Sequence, residues 1–406
     1  MNSYFPGPAD HVPAELIRDF DIFELPPGIE DPLLKWGKLL EAGTPPIIYT
    51  PRNGGHWIFL DFEDIREAYR NDDLFSNYQT PIPPLEPYPV MQPQGVDPPE
   101  HKKFRSLLAP LFTPVAVKRM EQELRRRSAT LIEGFVQTGS CDFVREFSSV
   151  LPTGMFLYLM GMPEDRLPEF HQLSDVFMRS NDEAVRAENI NQIYAVIGDY
   201  LDYRAGHLGE DLGSVLLKAR DEHGKPFERI DILNCGFLLF VAGLDTVTST
   251  MTYIWRYLAL TPEARRALCG MLDERPKLVG ACEELLRINA VSNIYRRVKQ
   301  DMSFRGIRMK RNDRVVLPNN IANRNASVFA NPTVIDLERE VNTHLTFGAG
   351  PHRCIGSHLA KAEIMIALQE WLRRIPDFSL QPGVAIEAYL GPVMGMRNLP
   401  LVWSLE

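Results

Sequence analysis

The sequence predicts a mainly α chain with a smaller β lobe, an α+β arrangement, on three observations. Residues 114 to about 225 alternate amphipathic helical stretches with short polar breaks at Thr138-Gly-Ser140, Met162-Pro-Glu164 and His207-Leu-Gly209. Residues 231 to 257 read as one long helix whose first half is apolar nearly all round, the pattern of a helix through the middle of a core. Two shorter stretches, 47–60 around Pro51-Arg-Asn-Gly-Gly55 and 302–315 with Phe304-Arg-Gly-Ile-Arg308 and Arg311-Asn-Asp-Arg314, carry hairpin signatures instead.

Residues 1 to about 45 are Pro-rich and then acidic and amphipathic, with a helix over 32–42. Ile47-Ile-Tyr49 and His56-Trp-Ile-Phe-Leu60 form the arms of the first hairpin, and Asp61 caps a helix to about Tyr69. Eight prolines between 81 and 99 forbid a sustained helix or a central strand there. A surface linker is one reading. The apolar Ile82, Leu85, Tyr88, Val90, Met91 and Val96 would be costly to expose together, which favours a binding loop or lid. Asp97-Pro-Pro-Glu100 starts the next helix, with Asp97 as its cap, and that helix carries His101 and Arg105 on one face. Further on, Glu284 and Arg287 stand three apart on a helix, ordinarily a solvated surface pair. Residues 292 to 297 lead into a strand, and short strands close the chain after Phe378.

At 406 residues, 45% apolar and 24% charged, the chain can bury a large core, and length alone allows one large domain or several. A net charge of −9 lends no support to nucleic-acid or anionic-membrane binding. The cysteines at 141, 235, 269, 282 and 354 are odd in number, widely spaced and without a Cys-x-x-Cys pair, which argues against a disulfide framework and against structural zinc. The N-terminus lacks the basic-then-apolar pattern of a signal peptide. The longest apolar run, 235–244, is shorter than the roughly 20 residues that span a bilayer. A cytoplasmic protein is expected.

The chemistry concentrates in Phe347-Gly-Ala-Gly-Pro-His-Arg-Cys354-Ile-Gly356, followed by an apolar helix to about Ile375. A cysteine at a loop-to-helix junction meets free N–H groups and the positive end of the helix dipole, which favours thiolate, both a nucleophile and a soft metal ligand. A lone cysteine is more often a small buried hydrophobe. Here Gly348, Gly350 and Gly356 clear side chains from around the sulfur, as suits a tight turn under a large flat group against which Phe347 can lie. His352 and Arg353 add a polar group and a cation. A dinucleotide fingerprint would want a glycine where Arg353 stands, and a cysteine-hydrolase pair with His352 fails because residues two apart entering a helix do not face each other. On the long helix Asp245 interrupts the apolar run. It is either an Asp at an exposed end, with Thr246 bonding back to the Ala242 carbonyl, or an ionisable group with a task.

The spacing Phe-x-x-Gly-x-x-x-Cys-x-Gly resembles the haem-ligand loop of the cytochrome P450 family. Ala242-Gly-x-Asp-Thr246, Glu284-x-x-Arg287, His101-x-x-x-Arg105 and Arg296 are similar to further motifs of that family in the same order. The resemblance covers essentially the whole chain and is nearest to the soluble bacterial camphor monooxygenase branch, as in Gly243-Leu-Asp-Thr-Val247, Ala281-Cys-Glu-Glu-Leu-Leu-Arg287 and Leu399-Pro-Leu-Val-Trp403. It implies one P450 domain over 1–406, mainly α with a smaller β-rich lobe. Cys354 would be the proximal thiolate of heme b, a ligand that favours O–O cleavage. His101, Arg105 and Arg296 would hold the propionates with His352 beside them, and Phe347 and Gly348 would lie against the macrocycle. Thr246 would hydrogen-bond the dioxygen being split and Asp245 would relay protons to it, with Gly243 letting the helix widen. Glu284, Arg287 and Arg339 would form a structural ion network supporting the Cys loop.

The implied activity is O2-dependent hydroxylation of a small apolar substrate, a compact terpenoid or norisoprenoid. Tyr88, Leu238, Val241, Asn293 and Val393 would line its pocket, with Tyr88 shifted by one from the branch's substrate-orienting tyrosine. No flavin or nicotinamide domain is visible, so electrons would come from a [2Fe–2S] ferredoxin and its NADH-dependent reductase. The ferredoxin would meet a cationic face to which Lys102, Lys103, Arg105, Arg353 and Lys361 contribute. A monomer is expected, with neither nucleic-acid nor membrane partners. The alternative is a haem-thiolate sensor without turnover. Asp245-Thr246 argues against it, since a sensor needs no proton relay, and the same pair argues against a peroxide-driven enzyme.

Overall fold

The computed structural model describes residues 10–26, 31–83, 89–180, 182–221 and 223–405. The long apolar run becomes one helix, Arg229–Leu260, with Phe237, Met251, Ile254, Trp255 and Leu258 fully buried. It extends well beyond the apolar stretch because Thr248, Thr250 and Thr252 continue the buried surface, each donating its hydroxyl to the carbonyl four residues back at 2.7–2.8 Å. Among the described residues it is the one helix long and apolar enough to cross a membrane, and 56% of that apolar window is buried inside the fold.

A rod that is apolar on every side must be covered on every side. Pro114–Phe135 and Ser357–Arg374 pack together beside it, centred on Trp371. That indole meets Phe143 edge-on at 5.2 Å and Trp255 at 5.9 Å, while Phe143 stacks on Trp255 at 4.7 Å. Val150–Met160, Leu167–Arg179 and Glu183–Ala205 also pack on it, and there Phe240 meets Phe156 and Phe170.

The β lobe is built on a five-stranded sheet in the order Ile47–Thr50, His56–Phe59, Arg314–Pro318, Asn293–Val298, Phe75–Ser76. Only the pairing of His56–Phe59 with Arg314–Pro318 is parallel. Both expected hairpins form, Ile47 facing Phe59 in the first and Met302–Phe304 pairing with Ile307–Met309 in the second. Asp61 caps Phe62–Arg70 as expected, accepting from the Glu63 N–H at 2.8 Å and the Asp64 N–H at 3.2 Å. The helix expected over 32–42 is shorter: Pro32–Gly37 tightens into a 3-10 turn at Lys38–Leu40.

Two local readings are corrected. Asp97 does not cap Glu100–Leu108 with its side chain; the carboxylate accepts instead from the Ser76 hydroxyl at 2.6 Å and the Asn77 N–H at 2.8 Å, pinning the edge strand. Those donors come from a strand twenty residues earlier and outcompete the local N–H groups. The mostly helical middle also contains a strand, Ser140–Asp142, paired with Pro400–Val402 near the opposite end of the chain. Its register is a long-range property that no local period reveals.

Ser357–Arg374 buries Glu363, whose Oε2 has no hydrogen-bond partner, and burial pushes its carboxyl from 4.5 up to about 8. Between those values the unfolded chain has released the proton and the folded chain still holds it, so stability falls as pH rises, by up to about 1.4 kcal/mol per unit. Glu363→Gln is expected to remove this slope, raising the urea midpoint at pH 8 and leaving it nearly unchanged near pH 4.5. Equal midpoints for parent and variant at pH 8 would contradict the burial argument.

Candidate functional site

The Cys loop is shaped by what lies behind it. Gly348 and Gly350 have φ of +65° and +71°, and a Cβ on Gly350 would lie 2.6 Å from the Tyr69 carbonyl oxygen and 2.9 Å from Arg70 Cα. These glycines therefore let the loop press against Phe62–Arg70. The loop closes on itself through the Cys354 N–H donating to the Phe347 carbonyl at 2.8 Å and the Arg353 N–H to the Gly350 carbonyl at 3.1 Å. The helix proper begins at Ser357 with Gly356 as its N-cap, so Cys354 sits just ahead of the first turn.

Cys354 is the one exposed cysteine of the five, the others being buried or half-buried. Dense protein around its sulfur nevertheless raises the thiol above its ordinary value of 9.0, against the lowering pull of the Gly356 N–H and of Arg105 and Arg353. The helix terminus alone thus does not make a thiolate here. A bound metal would, since a coordinating thiol is deprotonated outright.

The long helix contributes the second wall. Ala242 and Gly243 are exposed in the middle of an otherwise largely buried rod, and a Cβ on Gly243 would meet nothing within 4 Å. Ile355, beside Cys354, packs on the same two cores as Leu239 of that helix, so loop and helix border a common region. Thr246 donates to the Ala242 carbonyl at 3.0 Å, as the local reading allowed. Asp245 is not at an exposed end: it is 4% exposed and accepts from the Tyr389 hydroxyl at 3.2 Å.

A third group gathers nitrogen donors. The His101 and His352 rings lie 3.9 Å apart, and the buried Arg296 guanidinium sits 5.3 Å over the Tyr69 ring. His101 Nε2, Arg296 Nε and both ring nitrogens of His352 lack hydrogen-bond partners. Burial, then the neighbouring Arg105 charge, holds His101 down at about 4; burial and His101 lower His352 still further. Both imidazoles are therefore neutral near pH 7, and the positive charge belongs to Arg105 and Arg296. Buried unpaired polar groups are each costly, by about 1–3 kcal/mol, and a pair of carboxylates would satisfy the Arg296 N–H and the single N–H of each neutral imidazole. An exposed soft ligand, a wall free of side chains at Gly243 and a donor-lined edge together fit a flat, metal-containing macrocycle that bears carboxylates.

Comparison with known proteins agrees. The sequence pattern of the family described as Cytochrome P450 matches residues 169–401. The chain is 33% identical over 407 residues to probable cytochrome P450 127A1 of Sinorhizobium fredii, covering 97% of this chain and 96% of that one. It belongs to the cytochrome P450 family. A methyl-branched lipid omega-hydroxylase of Mycobacterium bovis is 31% identical across 86% of this P450 and 84% of its own length. The crystal structure of CYP101J2 superposes with a TM-score of 0.88 at 29% identity, covering 98% of this chain and all of the other. The protein is accordingly a haem-b monooxygenase with the P450 fold, using O2 and a redox partner.

Behind the Cys loop of this P450 lies the ion network. Arg287 donates to both oxygens of Glu284 at 2.7 and 2.8 Å, and Arg339 donates to the same carboxylate at 3.0 Å. Glu284 and Arg287 are fully buried, so this is not a solvated pair. The Arg287 fork also reaches the carbonyls of Asn323, Pro332 and Val334, which anchors the segment leading to the loop.

The residues read as pocket-lining are only partly gathered. Asn293 is buried, donates through Nδ2 to the Gly391 carbonyl at 3.3 Å and through its backbone N–H to the Pro392 carbonyl at 2.8 Å, and so fixes the turn that carries Val393. Leu238 and Val241 lie two turns and one turn before Asp245 on the long helix, and Val241 packs on the helical core while Val393 packs on a different one. Tyr88 lies outside the described residues, as does Leu85. Of the proline-rich loop's other apolar residues, Val90, Met91 and Val96 pack on the helical core and Ile82 on a core shared with the β lobe. Gln92 ties the loop to the start of the long helix by donating to Asp231 at 3.1 Å.

On the outer side of the Cys loop, Phe347, Gly350 and Arg353 line a surface depression of about 610 Å³. Arg66, Arg70 and Lys361 add cations there, and Glu283 and Glu340 add acids. Lys361 is paired with Glu283, so the expected cationic character is partly neutralised at that residue. Lys102 and Lys103 are exposed on Glu100–Leu108, the latter 3.5 Å from Glu100. Sequence reasoning missed Arg66 and Arg70, which face the loop only because the glycines allow their helix to approach it.

Proposed function

We propose that this monooxygenase hydroxylates a compact apolar substrate of the terpenoid or norisoprenoid class in the cytoplasm, with electrons from a [2Fe–2S] ferredoxin and its NADH-dependent reductase. The observation that carries the catalytic part is the pairing of an exposed Cys354 loop with a helix that is bare at Ala242 and Gly243 and carries Asp245 and Thr246 in the next turn. Haem, when bound, would supply the oxygen and redox chemistry, with Cys354 as its thiolate ligand. His101, Arg105, Arg296 and His352 would receive its carboxylates, and Phe347 and Gly348 would lie against it. Thr246 commits its own proton to Ala242, which leaves the hydroxyl oxygen as an acceptor towards the reacting side. Asp245 is the group that can carry a proton there, and its burial limits the water that would accompany it.

Leu238, Val241 and Val393 supply apolar walls, with Tyr88 and Asn293 the two polar side chains among the proposed lining residues, which favours a small, mostly apolar molecule with few oxygen functions. The depression with Arg66, Arg70 and Arg353 is the proposed ferredoxin face, suited to an acidic partner. A relative named for a methyl-branched lipid makes fatty acids the competing substrate class.

A panel of cyclic terpenoids, norisoprenoid ketones and fatty acids, titrated into the ferric protein, tests the substrate reading. Norisoprenoids are expected to give the largest low-to-high-spin shift, and a shift confined to fatty acids would sink the proposal. With a productive substrate, Thr246→Ala is expected to lower product formed per NADH roughly tenfold or more and to release peroxide in its place. Unchanged coupling would remove Thr246 from its assigned role.

A further inference from the structure

We propose that Tyr389 is a positioning residue for proton delivery, its hydroxyl held between Ser249 and Asp245 so that the C-terminal hairpin fixes the acid on the long helix. The inference rests on the reading of Asp245 as the proton relay. Tyr389 donates to Asp245 Oδ1 at 3.2 Å and lies 3.2 Å from Ser249 Oγ, one helical turn further along. The hairpin is minimal, Ala388–Tyr389 against Gly395–Met396, with Tyr389 directly opposite Gly395.

That register explains the glycine. A Cβ at Gly395 would collide with the Tyr389 hydroxyl and lie 2.6 Å from Ser249 Oγ. The bare position lets the phenol reach across its partner strand to the helix. The half-buried ring is covered by Arg397, whose guanidinium sits 5.8 Å from its centroid. A carboxyl buried at mid-helix has several rotamers and a large desolvation penalty, and a phenolic donor lowers that penalty while selecting one rotamer.

The same hairpin joins this contact to the turn at 390–394. Asn293 holds that turn through Gly391 and Pro392, and the Met394 N–H donates to the Val291 carbonyl at 2.9 Å. The turn is thus fixed to the sheet at one end and, through Tyr389, to the proton-carrying helix at the other. Anything that displaces Val393 moves the donor of Asp245 with it.

The test compares Tyr389→Phe, Gly395→Ala and Asp245→Asn in the haem-loaded protein, reading coupled turnover, the solvent deuterium isotope effect on it, and the infrared stretching band of carbon monoxide bound to the reduced protein. Tyr389→Phe keeps the ring and removes only the hydroxyl. It is expected to lower coupled turnover about five- to tenfold, to raise the isotope effect, and to shift or broaden the infrared band, with the substrate titration midpoint within twofold of the parent. Gly395→Ala retains the hydroxyl but displaces it, and is expected to reproduce those changes, so the inference stays testable if either variant folds poorly. If Asp245→Asn alters all three readouts while Tyr389→Phe and Gly395→Ala leave them at parental values, the role of Tyr389 is overturned and that of Asp245 stands. If Asp245→Asn itself changes nothing, the relay reading fails and the positioning role fails with it.

Discussion

Cys354→Ala is expected to abolish the absorption band diagnostic of thiolate-ligated ferrous haem with carbon monoxide, and with it monooxygenase turnover, while leaving the polypeptide folded. The fold should survive because the loop is closed by backbone bonds, Cys354 N–H to the Phe347 carbonyl among them, and because the side chain itself is exposed. Removing an exposed side chain of this kind ordinarily changes stability by no more than about 0.5 kcal/mol. No other cysteine can take over the ligand role. Cys141 and Cys282 are buried in one core and Cys235 in another, and the half-buried Cys269 packs against the first, so none is open to a ligand as Cys354 is. Spectra of the dithionite-reduced variant, read beside its far-ultraviolet circular dichroism, provide the check. A thiolate band that survives the substitution would mean that the loop has been misread.

Arg287→Ala is expected to have the largest effect on stability of any single substitution outside the aromatic core. It would leave Glu284 buried with one of its two guanidinium partners gone and would strip donors from three main-chain carbonyls. Breaking a buried pair from one side costs about 3–5 kcal/mol, a large part of the roughly 5–15 kcal/mol that holds a domain together. Arg287→Lys should rescue little, because a single ammonium cannot reproduce a fork that reaches a carboxylate and three carbonyls at once. Haem retention and the urea midpoint of both variants measure this. A variant that keeps the parental midpoint and haem content would show that the network is dispensable.

How legible the molecule is from its sequence varies with the range of the interaction. The Asp61 cap, the two hairpins and the breaks near 139, 161 and 206 are local, and they form where turn chemistry and periodicity place them. The helix over 231–257 was legible in kind and nearly in extent, Arg229–Leu260 in the fold, its Thr hydroxyls being satisfied within the helix. Asp97 was misassigned because its best donors, Ser76 and Asn77, come from another element. Glu284 and Arg287 have the same spacing as countless surface pairs, and only the packing of the segment through Arg339 over them makes them a buried network.

The candidate site divides in the same way. By itself the sequence determined the kind of chemistry: a cysteine in a glycine-punctuated loop ahead of a helix, an acid and a threonine interrupting an apolar helix, and basic residues at helical spacing, because these depend on residue type and short separations. The tertiary structure alone decided what those residues do to one another. It drew His101 against His352 and left His101 Nε2 and both His352 ring nitrogens without hydrogen bonds, folded Gly350 onto the Tyr69 carbonyl, raised rather than lowered the Cys354 thiol, and brought Tyr389 to Asp245 from a two-residue strand near the end of the chain. Each of these is a contact or a burial set by elements far apart in sequence. Desolvation and pairing depend on what the completed fold places around a group, and no local pattern carries that information.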